Sequence, residues 1–154
     1  MCAIVDVNVS HEVFGDNRPE AGERFLERLN SGTLRLVVSR KLLAELKYGN
    51  AQQWIQQGIN AGIVQQEKTG TVDERAEKLS REGGCLSNDI HIIALAQISG
   101  ARLLYSNDTA LHDDFGNKDL IDKPRGKVYS TNQHKDFTRG HAGLLNSRNL
   151  CRSR

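Results

Sequence analysis

Short apolar runs alternate along the chain with segments whose apolar residues recur every three or four positions. Cys2-Ala3-Ile4-Val5 contains no polar position, the mark of a strand buried on both faces. Over 19–30, Phe25, Leu26 and Leu29 fall at helical spacing, with Pro19 suited to the first turn and Gly32 to the stop. Residues 34–38 read as a second strand. Ser39 then caps a helix predicted over 40–48 and ended by Gly49. A glutamine-rich helix over 52–60 precedes a short strand at Ile63-Val64. Thr71 and Glu74 stand at capping-box spacing and open an amphipathic helix to about Glu82, broken by Gly83-Gly84. Ser87-Asn88-Asp89 caps a more apolar helix that runs to Ser99 and stops at Gly100. A strand over 102–106, a short helix over 109–115 and a last strand over 127–130 come next, the last after a Pro124-Arg125-Gly126 turn. Residues 140–146 form one more helix in what otherwise reads as a tail.

Strands alternating with helices predict an α/β domain of three layers, with helices on both faces of a central, mostly parallel sheet. The 154 residues suit one such domain, over 1–131, with a C-terminal extension over 132–154. An apolar share of 38% and a charged share of 26% are those of a soluble globular chain. The longest apolar run, from Ile92 to Ala96, is far short of the ~20 residues of a membrane-spanning helix, so no membrane association is expected. The first residues show no basic stretch followed by an apolar one, so no secretory signal is expected. Cys2, Cys85 and Cys151 are odd in number and far apart, which predicts neither a disulfide framework nor a metal knuckle and favours a reducing cytoplasm. The cysteines and Trp54 read as packing residues. Aromatics at 5% argue against a base-stacking platform.

The net charge of +2 hides an asymmetry. Residues 123–154 carry +7 and residues 1–122 carry −5. A basic extension on an acidic body is either a solvated tail or a contact for a polyanion, since Lys and Arg neutralise phosphates without reading sequence. Lys127, Lys135 and Arg139 are the candidates for that contact.

The acids of the body are placed oddly. Asp6 directly follows the first buried strand, and Asp108 follows the strand at 102–106 in the same way. Ligands of open α/β sheets bind at the carboxyl ends of strands, so both carboxylates are expected to face one crevice. Glu45 lies on or beside the apolar stripe of its helix, three residues after Leu42. Asp89 opens a helix with Ile92 and Ile93 at i+3 and i+4, on the buried side. Singly, each has a structural reading: Asp89 at the positive end of a helix, Asp6 and Asp108 as caps, and Glu45 as a half-buried surface acid. Together they make a cluster that needs a counterion, because two carboxylates ~5 Å apart repel by roughly 3 kcal/mol at an effective dielectric of 20. Either some protonate or a divalent cation sits among them, and oxygen ligands with few histidines point to Mg²⁺ or Mn²⁺.

The pieces Ile4-Val5-Asp6-Val7-Asn8, Leu42-Leu43-Ala44-Glu45-Leu46, Asn88-Asp89-Ile90-His91-Ile92-Ile93-Ala94 and Leu103-Leu104-Tyr105-Ser106-Asn107-Asp108 resemble, in order and spacing, the PIN-domain family of metal-dependent ribonucleases. The resemblance covers about residues 2–131. It implies a Mg²⁺ or Mn²⁺ site built by Asp6, Glu45, Asp89 and Asp108, and hydrolysis of RNA phosphodiester bonds. Asn8 matches the small polar residue that orients such a site, and Asp113 and Asp114 match the region where some members place a further, supporting acid. His91 departs from the pattern, where a small or apolar residue is commoner, and reads as a surface or half-buried histidine. The resemblance further implies a possible antitoxin protein as partner and a homodimer.

Two rival readings remain. In one, the same fold serves as an RNA-binding or assembly module with a vestigial site. In the other, Asp6-Val7-Asn8-Val9-Ser10 resembles the nucleophile loop of haloacid-dehalogenase-like phosphatases. There Asn8 stands where that family needs an acid, and an amide cannot donate the proton.

Overall fold

The first strand decides the architecture. All four residues of β1 (Cys2–Val5) are buried, so helices must cover it on both sides. In the computed structural model of the protein, which describes residues 1–47 and 50–151, β1 is the middle strand of a five-stranded sheet. β2 (Arg35–Val38) and then β3 (Val64–Gln66) extend the sheet on one side, and β4 (Leu103–Tyr105) and then β5 (Lys127–Tyr129) on the other. Every pairing is parallel. The helices are α1 (Ser10–Phe14), α2 (Glu20–Asn30), α3 (Arg40–Glu45), α4 (Ala51–Ala61), α5 (Thr69–Glu82), α6 (Ile90–Ser99), α7 (Thr109–Gly116) and α8 (Arg139–Leu145). They flank the sheet, which makes the three-layer α/β/α fold. No helix among the described residues is long and apolar enough to cross a membrane.

The strand order 3-2-1-4-5 reverses at β1. The chain builds outward through β2 and β3, then returns to the other flank of β1 for β4. At such a reversal the loops leaving two neighbouring strands part and open a crevice at their carboxyl ends. Val5 pairs with Tyr105 and Tyr105 with Tyr129, so residues 6, 106 and 130 leave the sheet side by side. Beneath them Phe25, Tyr105 and Tyr129 pack ring against ring, with centroids 5.0, 5.2 and 4.8 Å apart. Burial pushes both tyrosine hydroxyls well above the usual phenol range, so each is a standing donor: Tyr105 to Glu12 and Tyr129 to the Ala21 carbonyl. Gly22 lets α2 approach α1, since a Cβ there would lie 1.9 Å from the carbonyl oxygen of Glu12.

Local expectations change in places. A 3-10 turn (Val7–Val9) and α1 follow β1, where the predicted elements leave a gap, and they bury Val9, Val13 and Phe14. α3 stops at Glu45 and not at 48, because Leu46 leaves the helical backbone (φ −83°, ψ 68°) to bury its side chain. The expected end at Tyr48 and Gly49 lies outside the described residues. α5 begins at Thr69, so Thr71 sits inside the helix and its capping box with Glu74 does not form.

The cysteine reading is corrected. Cys2 and Cys151 form a disulfide across 149 positions of sequence. Separation along the chain gives no warning, because the end of the described chain returns to the start of the central strand. The Cys2 N–H donates to the Leu150 carbonyl at 3.3 Å, and Cys151 bridges Ala101. Cys85 is a free thiol. The extension is accordingly no solvated tail over 132–151: Leu145 and Leu150 are buried with the core, and the Ala21 N–H donates to the Lys135 carbonyl. Arg152 and Arg154 lie outside the described residues.

Candidate active site

Asp6 is the residue next after β1, and its backbone N–H still pairs with the Tyr105 carbonyl at 2.9 Å. The strand thus delivers its side chain straight into the crevice, where it is only 3% exposed. One carboxylate oxygen accepts the Ser106 hydroxyl at 2.7 Å. Burial pushes the carboxyl above its ordinary value of 3.8, and the negative charge of Asp89 adds to this. The Ser106 hydrogen bond and the backbone N–H groups of Val7 and Asn8 act in the other direction.

Ser106 ties the two strand ends together. While its hydroxyl donates to Asp6, its oxygen accepts the Asp108 N–H at 3.1 Å. The Asp108 carboxylate is turned partly into its own helix: Oδ1 accepts the N–H groups of Ala110 (3.0 Å) and Leu111 (3.3 Å), the cap that the structural reading of this acid describes. Oδ2 takes no part in those bonds. Asn8, exposed one turn after Asp6, accepts the Asn107 N–H at 3.4 Å and so links the same two strand ends from outside.

The other two acids arrive from helices and meet at a histidine. Nε2 of His91 lies 3.8 Å from an oxygen of Glu45 and 3.8 Å from an oxygen of Asp89. His91 is neither a surface nor a half-buried histidine but 7% exposed, and its Nδ1 has no hydrogen-bond partner among the described residues. Burial holds the imidazole below the ordinary histidine value, against the charges of Glu45 and Asp89, which raise it. The ring is therefore neutral at pH 7 and has a single N–H to give. On Nε2, that hydrogen lies on the nitrogen that faces Glu45 and Asp89, at 3.8 Å from an oxygen of each.

Asp89 is held from behind. Its N–H donates to the Ser87 hydroxyl at 2.9 Å, and the buried Asp114 accepts the N–H groups of Leu86 (2.8 Å) and Ser87 (2.8 Å). Asp114 thus pins the loop that presents Asp89, while Asp113 is exposed and does not join it. The inward direction of Asp114 is legible from Leu111 and Phe115, which flank it at i−3 and i+1 on the buried face of α7. Glu12 is a buried acid with no such signal in sequence. It accepts the Tyr105 hydroxyl at 2.7 Å and the Thr131 hydroxyl at 2.6 Å, and so braces β4 and the exit of β5 under the crevice.

The three basic candidates do not gather at the acids. Lys127 opens β5 opposite Leu103, at the amino ends of the strands and away from the crevice. Lys135 and Arg139 are exposed on the segment that follows β5, beyond Thr131 and Asn132, which are bonded to Asn107.

The model of the PIN domain matches residues 3–115, from β1 to the end of α7, and takes in all four acids. The chain belongs to the PIN domain family. No curated protein sequence matches this PIN domain. Among solved structures it is similar to the crystal structure of VapBC2 from Rickettsia felis bound to a DNA fragment from their promoter. That match has 18% identity over 84% of this chain and 98% of that one, at a TM-score of 0.45.

PIN domains generally use divalent metal ions. Here the donors are carboxylate oxygens, and the buried Asp6 is charge-loaded by Asp89, which is the chemistry a hard dication relieves. No three Asp, Glu, His or Cys side chains among the described residues stand close enough to form a finished ligand group. The residues therefore fit such an ion in charge and donor type, and Glu45 and Asp89 are half-exposed.

Proposed function

We propose that this PIN domain is a metal-dependent endoribonuclease whose Mg²⁺ or Mn²⁺ is held by Asp6, Glu45, Asp89 and Asp108. The observation that carries the reading is the buried Asp6 carboxylate at the strand-order reversal, with the charge of Asp89 bearing on it. Held there, a divalent ion would lower the pKa of a water and offset charge on the phosphoryl oxygens. The protein's own part is to hold the acids in place. Ser106 fixes the Asp6 carboxylate and the Asp108 turn, His91 stands between Glu45 and Asp89, Asp114 anchors the loop before Asp89, and Asn8 bridges to Asn107. One of the four acids would also take the proton of the attacking water. Lys135 and Arg139 supply positive charge for the RNA backbone on the far side of Asn107.

A protein partner fits the rim of the same crevice. Val7 and Leu86 are the large apolar side chains that the described surface exposes, and each lies within three residues of a proposed ligand. An antitoxin that covers both would close the site.

The test is cleavage of single-stranded RNA by the full chain with Mg²⁺ or Mn²⁺, with and without EDTA, beside Asp6→Asn. Metal-dependent cleavage that Asp6→Asn abolishes is the expected result. Cleavage that persists in EDTA or in the variant would overturn the reading.

A further inference from the structure

One wall of the acid crevice is also the wall of a groove that the proposed chemistry leaves unused. It runs between α7, β5 and α8 and encloses about 650 Å³. Its floor is apolar, made by Val128 and Leu144 with the ring of His141 beside them. His141 is already satisfied, because Nδ1 accepts the Thr138 N–H at 3.1 Å and Nε2–H donates to the Ser130 carbonyl at 2.7 Å. The rim carries groups with capacity to spare. The side chains of Thr109, Gln133 and His134 make no hydrogen bond among the described residues, and Asn132 uses only its amide N–H, on the Asn107 carbonyl.

The groove is lined by no Asp, Glu, Lys or Arg. That composition suits neither a phosphate, which needs cations, nor a hard metal ion or basic peptide, which needs carboxylates, and the groove's histidines form no metal-ligand group among the described residues. It suits a flat, uncharged ring with an apolar face and a hydrogen-bonding edge. The position is as specific as the lining. Thr109 follows Asp108 directly, and Nε2–H of His112, on the groove wall, donates to the carbonyl of Ser106, whose hydroxyl holds Asp6. Asn107 locks the same wall to β5: its Nδ2 donates to the Thr131 hydroxyl, and its Oδ1 accepts the Ser130 hydroxyl and the Thr131 N–H.

We propose that this groove receives a nucleobase of the RNA strand, adjacent to the phosphate that sits at the acids. The inference rests on the nuclease reading for its strand, but the binding of a base can be measured without cleavage. A base so placed is read at its edge by Asn132 and Gln133 and covered by the imidazole of His134, which needs no array of large aromatics.

The experiment titrates the full chain with each of the four ribonucleosides and follows the imidazole resonances of His112, His134 and His141. In parallel, KM and kcat for a short single-stranded RNA are measured for Gln133→Ala, an exposed rim change, and for Leu144→Phe, which fills the floor. The expected result is movement of the His134 and His112 signals with at least one nucleoside, reduced in Leu144→Phe. KM should rise about tenfold while kcat stays within about twofold, in keeping with the loss of one base contact. Silence of the three imidazoles toward all the nucleosides, or an unchanged KM in both variants, overturns the proposal. If the chain cleaves no RNA yet the imidazoles respond, the nuclease reading fails and the groove stands as a nucleoside site.

Discussion

The hydroxyl of Ser106 donates to Asp6 at 2.7 Å while its oxygen accepts the N–H of Asp108 at 3.1 Å, so one small side chain sets the spacing of the two strand-end acids. Ser106→Ala removes both contacts and leaves Asp6 buried with one donor fewer. A stability loss of about 1–2 kcal/mol is expected from an unmade buried hydrogen bond of this kind. Metal-dependent cleavage should fall about tenfold, the lower end of what supporting residues around a metal site contribute. Urea unfolding with and without Mn²⁺, beside cleavage kinetics, checks both numbers.

Asp6 carries a pH dependence of definite sign. Its folded carboxyl titrates above its ordinary 3.8 because burial disfavours the charge. Between 3.8 and that raised value the folded state holds the extra proton. The contribution of Asp6 to stability is therefore complete below 3.8 and is lost as pH rises through the folded value. At neutral pH the metal-free protein bears a buried charge that Asp6→Asn removes at nearly constant shape, and Ser106 can still donate to the amide oxygen. The variant should melt higher than the native chain in EDTA, show a flatter dependence on pH from about 4 upward, and gain nothing from Mn²⁺. The native chain should melt higher with Mn²⁺ than with EDTA. Calorimetric melting across pH, with and without metal, reads all of these, and a destabilised Asp6→Asn in EDTA would sink the argument.

The order of the four acids and the strands beneath Asp6 and Asp108 are legible in the sequence because an apolar run such as Cys2–Val5 has one place to go. Register then fixes where the residue after each strand emerges. The supporting residues are less visible for physical reasons. Ser106 reads as the end of a strand, and only the pairing of Val5 with Tyr105 shows that it faces Asp6. His91 reads in sequence as a surface or half-buried histidine, but α6 buries every position from His91 to Ala96 and so offers no wet face for it there. Glu12 belongs to α1, an element too short to announce itself by periodicity. The Cys2–Cys151 pair depends on where the chain ends up in space, about which spacing along the sequence is silent.

That pair makes its own prediction. Closing a loop across 149 positions of sequence restricts the unfolded chain, and the loop-entropy relation places such a crosslink at about 5 kcal/mol, above the usual 2–4 kcal/mol. It also ties the extension, with Lys135 and Arg139, to the first residue of the central strand. Air-oxidised protein should show one titratable thiol, Cys85, and should melt lower after dithiothreitol. Cys151→Ser should melt at the reduced position in either condition. Three reactive thiols in oxidised, folded protein would show that the bridge does not form.

His91 sits between Glu45 and Asp89 at 3.8 Å from each, too far for a finished hydrogen bond and close enough that a small closing movement of either acid makes one. As a neutral ring with its hydrogen on Nε2 it moderates the repulsion of two carboxylates without cancelling the charge a cation needs. A metal bound through Nε2 would instead force the hydrogen onto Nδ1, which is buried and has no acceptor among the described residues. The geometry therefore favours a positioning role over ligation. His91→Leu should weaken Mn²⁺ binding about tenfold, as loss of a partner behind metal ligands does, with the fold retained because the site is already apolar on the α6 side. His91→Gln, which restores an N–H donor of similar reach, should recover most of that loss. Calorimetric titration with Mn²⁺ and with Mg²⁺ separates the roles. Equal weakening for both ions is expected of a positioning residue, whereas a loss confined to Mn²⁺ would mark His91 as a ligand, since an imidazole nitrogen favours Mn²⁺ over the harder Mg²⁺.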